Sequence, residues 1–211
     1  MSLLISFTAL FVSVFLLQLG LGGVVPLDAL SGTLLGFTPQ EIGAMGSAHF
    51  LGFFIGCWWA PRLMGEVGHA RAFVAFAAAG TIGIMAHMMV VDPWAWSVMR
   101  MSSGLSVAGC YTIIEAWLQS KVTNDTRGRA MGFYGVVDVA GNLGAQVMIA
   151  FLTPAAYFSY NLLALFMCAA LFPLLLTRTE APATGEAPRL RPMLAWQKSP
   201  LGAVGVVVSG I

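Results

Sequence analysis

Charge is scarce in this chain. Only 9% of its 211 residues are Asp, Glu, Lys or Arg, and its mean hydropathy is +0.84. An ordinary soluble domain has about 25% charged residues, and one core of this size could not bury so much apolar surface. The composition therefore excludes a soluble globular domain. A net charge of +1 also excludes a strongly basic nucleic-acid-binding surface.

Cysteine is scarce as well, and common enzyme motifs are missing. Cys57, Cys110 and Cys168 lie in apolar segments without CxxC spacing, which favours small buried hydrophobes over disulfides or metal ligands. The chain contains no G-x-S-x-G, H-E-x-x-H or P-loop sequence. We therefore expect a protein that is not an enzyme and that uses neither a cofactor nor a metal.

In place of charge, the chain has six long apolar segments separated by short polar loops. A helix needs about 20 mostly apolar residues to cross the hydrocarbon core. The pattern predicts an all-α, polytopic membrane protein, with Pro26 and Asp28 ending the first helix. The predicted transmembrane helices cover residues 3–25, 42–59, 72–91, 94–117, 130–152 and 155–176.

The character of the chain changes after the sixth segment. Residues 1–176 form the predicted six-helix transmembrane domain, and the proline-punctuated residues 177–200 predict a flexible cytoplasmic linker. Residues 201–211 are apolar again, but as a helix they would rise only about 16 Å, roughly half the hydrocarbon core. We interpret them as the start of a seventh, incomplete transmembrane helix. The chain is then either a natural half-size protein or shorter than its parent.

The cations are distributed asymmetrically. Nine of the ten Lys and Arg residues fall between helices two and three, between helices four and five, or after helix six, and the opposite loops contain none. The positive-inside rule then predicts a cytoplasmic N-terminus. The preference for Arg over Lys and the richness in Ala and Gly are typical of a GC-rich bacterial source. We therefore expect an integral protein of a bacterial inner membrane, in contact with lipid.

Polar residues inside the predicted helices are candidates for a site, because an ionisable group within a bilayer costs at least about 2.5–3.5 kcal/mol. Asp138, Asn142 and Gln146 recur every four residues along helix five and share one face. A carboxylate there is suited to proton coupling or to binding a cationic group. The alternative is that the three residues form interhelical hydrogen bonds that only hold the bundle together.

Helix four carries a second polar stripe. Arg100, Ser103, Tyr111 and Glu115 fall on one face, which predicts that the stripe faces a cavity. The alternative is that Arg100 snorkels outward to the interface.

Isolated polar residues occur in the other helices. Gln18, a lone amide in helix one, is equally consistent with lining the cavity and with packing. His49 and His87 are more typical of packed, hydrogen-bonded residues than of functional ones, and His69 is expected in a solvated loop.

Several local patterns resemble the N-terminal half of a major facilitator superfamily (MFS) transporter. Residues 100–104, Arg-Met-Ser-Ser-Gly, are similar to the family's fourth-helix motif. Glu115 and the Arg-Gly-Arg-Ala-Met-Gly run at 127–132 resemble the end of helix four and the start of helix five. Residues 56–71 occupy the region of the signature loop between helices two and three. Ala60 and Pro61 stand there where the family usually has an Asp-Arg pair.

The resemblance implies two inverted three-helix repeats, with substrate bound near the midplane between two such domains. It implies a secondary active transporter that moves a small-molecule substrate by alternating access, coupled to an ion gradient, with the proton as the expected ion. Candidate substrate or proton ligands are Asp138, Asn142, Gln146, Arg100, Gln18 and Tyr111. Residues expected to serve cytoplasmic gating and topology are Arg62, Arg71, Glu115, Arg127 and Arg129.

A single half of such a transporter has no enclosed central cavity. The implied partner is therefore a second half-domain or a second copy of this chain. The alternative function is that of a non-transporting membrane subunit, or of a fragment that needs a second six-helix half.

Overall fold

A computed structural model of the chain describes residues 2–176, with side chains from Phe7 onward. Helices are the only regular elements in this part of the chain, which confirms the all-α class for it. The predicted linker (177–200) and the predicted start of a seventh transmembrane helix (201–211) lie outside the described residues. The helices are α1 (Ser2–Leu34), α2 (Pro39–Val67), α3 (His69–Ala86), α4 (Pro93–Lys121), α5 (Asn124–Ile149), α6 (Tyr157–Ala169) and α7 (Leu171–Leu176).

Four stretches of the described chain are long and apolar enough to cross a membrane. They are Phe7–Leu34, Pro39–Val67, His69–Ala86 and Tyr157–Leu176. The helices α4 and α5, with 29 and 26 residues, are also long enough, since about 20 residues suffice. Their lower hydropathy reflects the polar residues that these two helices carry, including Arg100 and Asp138.

The first helix is longer than predicted. Pro26 lies inside α1, which continues to Leu34. Asp28, predicted in an outer loop, is therefore helical, and its side chain is buried with 3% exposure. The prediction that Pro26 and Asp28 end the helix was wrong. A proline is tolerated inside a membrane helix because neighbouring groups satisfy the backbone atoms that it releases.

The connection between α2 and α3 is also shorter than predicted. α2 passes through Pro61 and ends at Val67, and Gly68, with φ of 86°, leads directly into α3. Arg62 and Arg71 consequently lie in helices and not in a loop. The positive φ of Gly68 explains the sharp turn, because this backbone conformation favours glycine.

The bounds of the other helices also differ from the predicted ones. α5 already begins at Asn124, so Arg127 and Arg129 lie in its first turns, and α4 continues to Lys121. Charged helix ends extend beyond the apolar core, whereas a search for apolar segments ends where the charges begin. The third helix ends at Ala86, earlier than predicted, and the predicted sixth helix is divided into α6 and α7.

Glycines allow the central helices to approach closely. A Cβ on Gly52 of α2 would lie 1.9 Å from the Met101 carbonyl oxygen, and one on Gly104 of α4 would lie 1.9 Å from that of His49. The backbones of α2 and α4 therefore touch, as small residues permit in membrane bundles. Gly141 of α5 packs on Gln18 of α1 in a similar way, at 2.7 Å from the would-be Cβ to the Gln18 Cβ. These approaches bring four helices around one cavity.

We expect Gly104→Ala to destabilise the bundle by about 1–3 kcal/mol, because the added methyl group forces the α2 and α4 backbones apart. Gly46→Ala in α2 is the matched control, since a Cβ there meets nothing within 4 Å. It should leave stability unchanged or raise it by about 0.4–1 kcal/mol. Unfolding of the purified proteins in mixed detergent micelles measures both. A Gly104→Ala variant as stable as Gly46→Ala would contradict the close packing.

Candidate functional site

A cavity of about 440 Å³ lies between α1, α2, α4 and α5. Its apolar wall comes mainly from α1, where Leu21 and Val25 contribute, and from Val107 of α4. An apolar pocket with a few convergent polar groups is the usual form of a small-molecule site. The polar lining residues are Gln18, His49, Tyr111, Asn142 and Gln146.

The Asp138 carboxylate joins three helices at this cavity. Its Oδ1 accepts a hydrogen bond of 2.8 Å from Gln18 Nε2 of α1 and one of 2.6 Å from the Tyr111 hydroxyl of α4. Both donors line the cavity. Hydrogen bonds to an ionised acceptor are shorter and about twice as strong as neutral ones. The carboxylate is thus held in a defined position beside the cavity, and a ligand that competes for its donors would release it.

The structure brings together five of the residues singled out in the sequence. Asn142 and Gln146 lie on the same wall as the two donors to Asp138, one and two helical turns further along α5. The polar face predicted from their spacing therefore faces a cavity.

Two backbone features widen the cavity and make it more polar. A Cβ on Gly22 would lie 3.0 Å from Gln18 Oε1 and 3.2 Å from Asn142 Nδ2, so glycine leaves room for both amides. Pro26, one turn later, has no N–H to donate to the Gly22 carbonyl. Gly22 and Pro26 both line the cavity. The interruption of the hydrogen-bond ladder thus lies at the site.

His49, which the sequence analysis favoured as a packed, hydrogen-bonded residue, also belongs to this cavity. It lines the wall from α2, and its Nδ1 lies 3.2 Å from the Ser103 hydroxyl of α4. Ser103 in turn donates to the Arg100 carbonyl at 2.8 Å. The close α2–α4 contact at Gly104 carries His49 to this position, and a contact between distant helices has no local sequence signal.

Arg100 does not line the cavity, and it does not snorkel to the interface. Its side chain is buried, and its Nε lies 3.5 Å from Asp28 Oδ2. The same Oδ2 lies 3.3 Å from His87 Nε2, and the Tyr160 hydroxyl donates to Asp28 Oδ1 at 2.9 Å. We call Asp28, His87, Arg100 and Tyr160 the ion cluster. Arg100 was predicted to face a cavity, and in the structure its side chain lies in this cluster beside Asp28, which had been assigned to a loop.

The residues predicted to act at the cytoplasmic side are spread over the helix ends. Glu115 accepts a hydrogen bond of 3.1 Å from the Tyr134 hydroxyl. Arg62 donates to the Trp58 carbonyl, and its guanidinium carbon lies 4.1 Å from the centroid of the Trp58 ring. The other three, Arg71, Arg127 and Arg129, are exposed.

His69 was expected to be solvated, but it is buried as the first residue of α3. Its ring packs edge-on against Trp117 at 6.1 Å between centroids. No group of three His, Cys, Asp or Glu side chains within residues 2–176 is arranged to hold a metal ion.

Replacing Arg100 with methionine should destabilise the protein by about 3–5 kcal/mol, because Asp28 would remain buried without its cation. The double variant Asp28→Asn/Arg100→Met should recover most of that loss, since neither charge remains. Unfolding in mixed micelles of the wild type, both single variants and the double variant provides the measurement. Losses that simply add in the double variant would contradict a direct ion pair.

Several known proteins are similar to this chain, and three of them are named uncharacterized MFS-type transporters. Over 81% of its length the chain is 28% identical to one from Enterobacter sp. (strain 638) and 26% identical to one from Yersinia enterocolitica. A third, from Salmonella heidelberg (strain SL476), is 24% identical over 176 residues. No protein-family model matches.

The chain spans about half the length of these relatives, 45% in each of the three. The resemblance seen in the motifs of helices four and five is therefore confirmed over most of the chain. The helices, the similarity and its extent are together consistent with one half-domain of an MFS-type transporter.

Proposed function

We propose that this chain is one six-helix domain of a secondary active transporter, in which α4 and α5 also cross the membrane. The observation that carries the proposal is the Asp138 carboxylate, held by Gln18 and Tyr111 beside the cavity of about 440 Å³. The names of the relatives support it, since all three are called transporters.

The solute site in this proposal is the polar wall of the cavity. The amides of Gln18, Asn142 and Gln146 offer both donors and acceptors, and Asp138 offers a negative charge next to them. A small solute with a cationic or hydrogen-bond-donating group would satisfy these side chains, while Leu21 and Val25 would contact its apolar part.

Proton coupling in this proposal also uses Asp138. A proton on the carboxylate removes its charge and weakens the bonds from Gln18 and Tyr111, because charge-assisted hydrogen bonds are the stronger ones. These two bonds connect α5 to α1 and to α4. Protonation would thus loosen three helices together, which is the kind of local change that alternating access requires.

A complete site requires a second domain. Asn142 and Gln146 are exposed, so the cavity wall that they form is open in the isolated chain. The relatives are about twice as long as the matched region. The missing wall would come from a second half-domain or from a second copy of this chain packed against α5.

The proposed orientation has the N-terminus in the cytoplasm of a bacterial cell, with the domain in its inner membrane. Arg62 and Arg71 flank the α2–α3 connection, and Arg127 and Arg129 follow the α4–α5 connection. In an up-and-down bundle these connections are at the same end, which the positive-inside rule assigns to the cytoplasm.

Transport in proteoliposomes under an imposed pH gradient tests the proposal. A pH-sensitive dye inside the vesicles reports proton movement as each compound of a panel of small metabolites and cationic drugs is added. We expect gradient-dependent flux in the wild type and its loss in Asp138→Asn, which keeps the shape of the side chain but removes the charge. Asp125→Asn is the matched control, since Asp125 is an exposed carboxylate in the first turn of the same helix.

The oligomeric state of the reconstituted protein determines how the flux measurement is interpreted. Flux together with a two-fold pair would mean that two copies of the chain form the complete site. A folded, stable monomer without flux for any compound would contradict transport by this chain alone and favour a subunit that needs a second half. Equal flux in Asp138→Asn and wild type would contradict the assigned role of the carboxylate.

A further inference from the structure

The ion cluster joins four helices at one end of the bundle, and none of its four residues lines the cavity. Asp28 comes from the last part of α1, His87 directly follows α3, Arg100 lies in α4 and Tyr160 lies near the start of α6. All four residues are at most 3% exposed. Water does not reach these side chains, so their donors and acceptors must find partners within the protein.

The hydrogen on His87 Nδ1 is determined by its partner. Nδ1 lies 2.7 Å from the Gly83 carbonyl oxygen, one turn earlier in α3. A carbonyl oxygen only accepts hydrogen bonds, so Nδ1 must carry a hydrogen. In a neutral imidazole the other nitrogen, Nε2, then has a lone pair and no hydrogen.

The orientation of the His87 ring is restricted by the aromatic rings that pack against it. The Tyr160 ring stacks on His87 with 5.2 Å between centroids, and the Trp96 ring packs edge-on at 5.1 Å. Trp96 Nε1 also donates to the His87 carbonyl at 2.7 Å. With Nδ1 on the Gly83 carbonyl, Nε2 points at Asp28.

His87 Nε2 lies 3.3 Å from Asp28 Oδ2. An ionised carboxylate oxygen is also only an acceptor, so two lone pairs would face each other in a buried site. Neither atom has another hydrogen-bond partner within the described residues. A proton between the two atoms removes the conflict, either on Nε2 as an imidazolium or on Oδ2 as a carboxylic acid.

We infer that Asp28 and His87 together form a second proton-binding site, which shares no residue with the site at Asp138. The inference goes beyond the proposed transport function and does not depend on it. The ligand is a single proton shared between Nε2 and Oδ2.

The charges that face this site make both the protonated and the deprotonated form costly. Arg100 Nε lies 3.5 Å from Asp28 Oδ2, the Tyr160 hydroxyl donates to Oδ1, and His49 of α2 lies near enough to interact electrostatically with both Asp28 and Arg100. Asp28 and Arg100 alone are neutral, so the shared proton leaves one net positive charge buried, which is costly. Losing the proton restores neutrality but makes His87 and Asp28 repel. The proton therefore controls whether the end of α3 contacts α1.

Nuclear magnetic resonance of ¹⁵N-histidine-labelled protein in lipid nanodiscs, without solute or gradient, tests the inference. The nitrogen shifts separate a protonated ring nitrogen from a bare one, and His87→Gln identifies the His87 signals. We expect Nδ1 to be protonated throughout. We expect Nε2 either to carry a hydrogen or to accept a hydrogen bond from a protonated Asp28, and to lose this contact as the pH is raised.

Two variants sharpen the test. In Asp28→Asn the amide can donate to Nε2 directly, so Nε2 should accept a hydrogen bond and carry no proton of its own. His69→Gln is the matched control and should leave the His87 signals unchanged, because His69 is the first residue of α3 and packs against Trp117, whereas His87 follows the other end of that helix.

A bare Nδ1 in the wild-type protein would overturn the inference, because Nε2–H could then donate to Asp28 without a shared proton. A neutral His87 whose Nε2 shows no hydrogen bond, in wild type as in Asp28→Asn, would overturn it as well. Both outcomes are visible in the wild-type spectrum, even if a variant fails to fold. Neither outcome affects Asp138 and the flux that it would support.

Discussion

A charge that is buried among apolar helices must find its partner inside the protein, because lipid offers it none. In this chain Asp28 forms an ion pair with Arg100. One of its oxygens also accepts a hydrogen bond from the Tyr160 hydroxyl, and the other lies beside His87. One carboxylate therefore ties α1 to α4 and α6 and to the end of α3. The continuation of α1 through Pro26 places Asp28 inside the bundle, where it pairs with Arg100.

The close contacts between α2 and α4 and between α1 and α5 depend on glycine and not on charge. Gly52 and Gly104 let the α2 and α4 backbones touch, and Gly141 lets α5 approach Gln18. Because these contacts are so close, polar side chains from different helices reach one another across the cavity. The hydrogen bonds from Gln18 and Tyr111 to Asp138 span α1, α4 and α5 in this way. Packing thus positions the donors, and the carboxylate then joins them.

Much of the candidate site was predictable from the sequence. The four-residue spacing of Asp138, Asn142 and Gln146 requires one polar face on helix five, and an apolar bundle allows such a face only towards a cavity or another helix. The position of Tyr111 followed from the same reasoning on helix four. Helix periodicity is a local property, and it was sufficient for these residues.

The ion cluster was not predictable in the same way. Proline usually ends a helix in water, so Pro26 was interpreted as the end of the first helix and Asp28 was left in a loop. Inside the bundle Pro26 is tolerated. The feature that indicates a buried position for Asp28 is Arg100, because a buried cation needs an acidic partner. The apolar residues around Asp28, Leu27 and Leu30, are consistent with a continuing helix. The His87–Asp28 contact joins distant helices, and no local pattern indicates it.

The two carboxylates inside the bundle, Asp28 and Asp138, thus have different positions and different roles. Asp28 is enclosed and paired with a cation, whereas Asp138 is half-buried at the edge of an open cavity. The most direct test is to treat the reconstituted protein with a lipid-soluble carbodiimide, which reacts with protonated carboxyl groups, and to locate the products by peptide mass spectrometry. The account predicts modification of Asp138 that increases as the pH is lowered, with Asp28 unmodified in the folded protein. Modification of Asp28 with Asp138 left intact would contradict it.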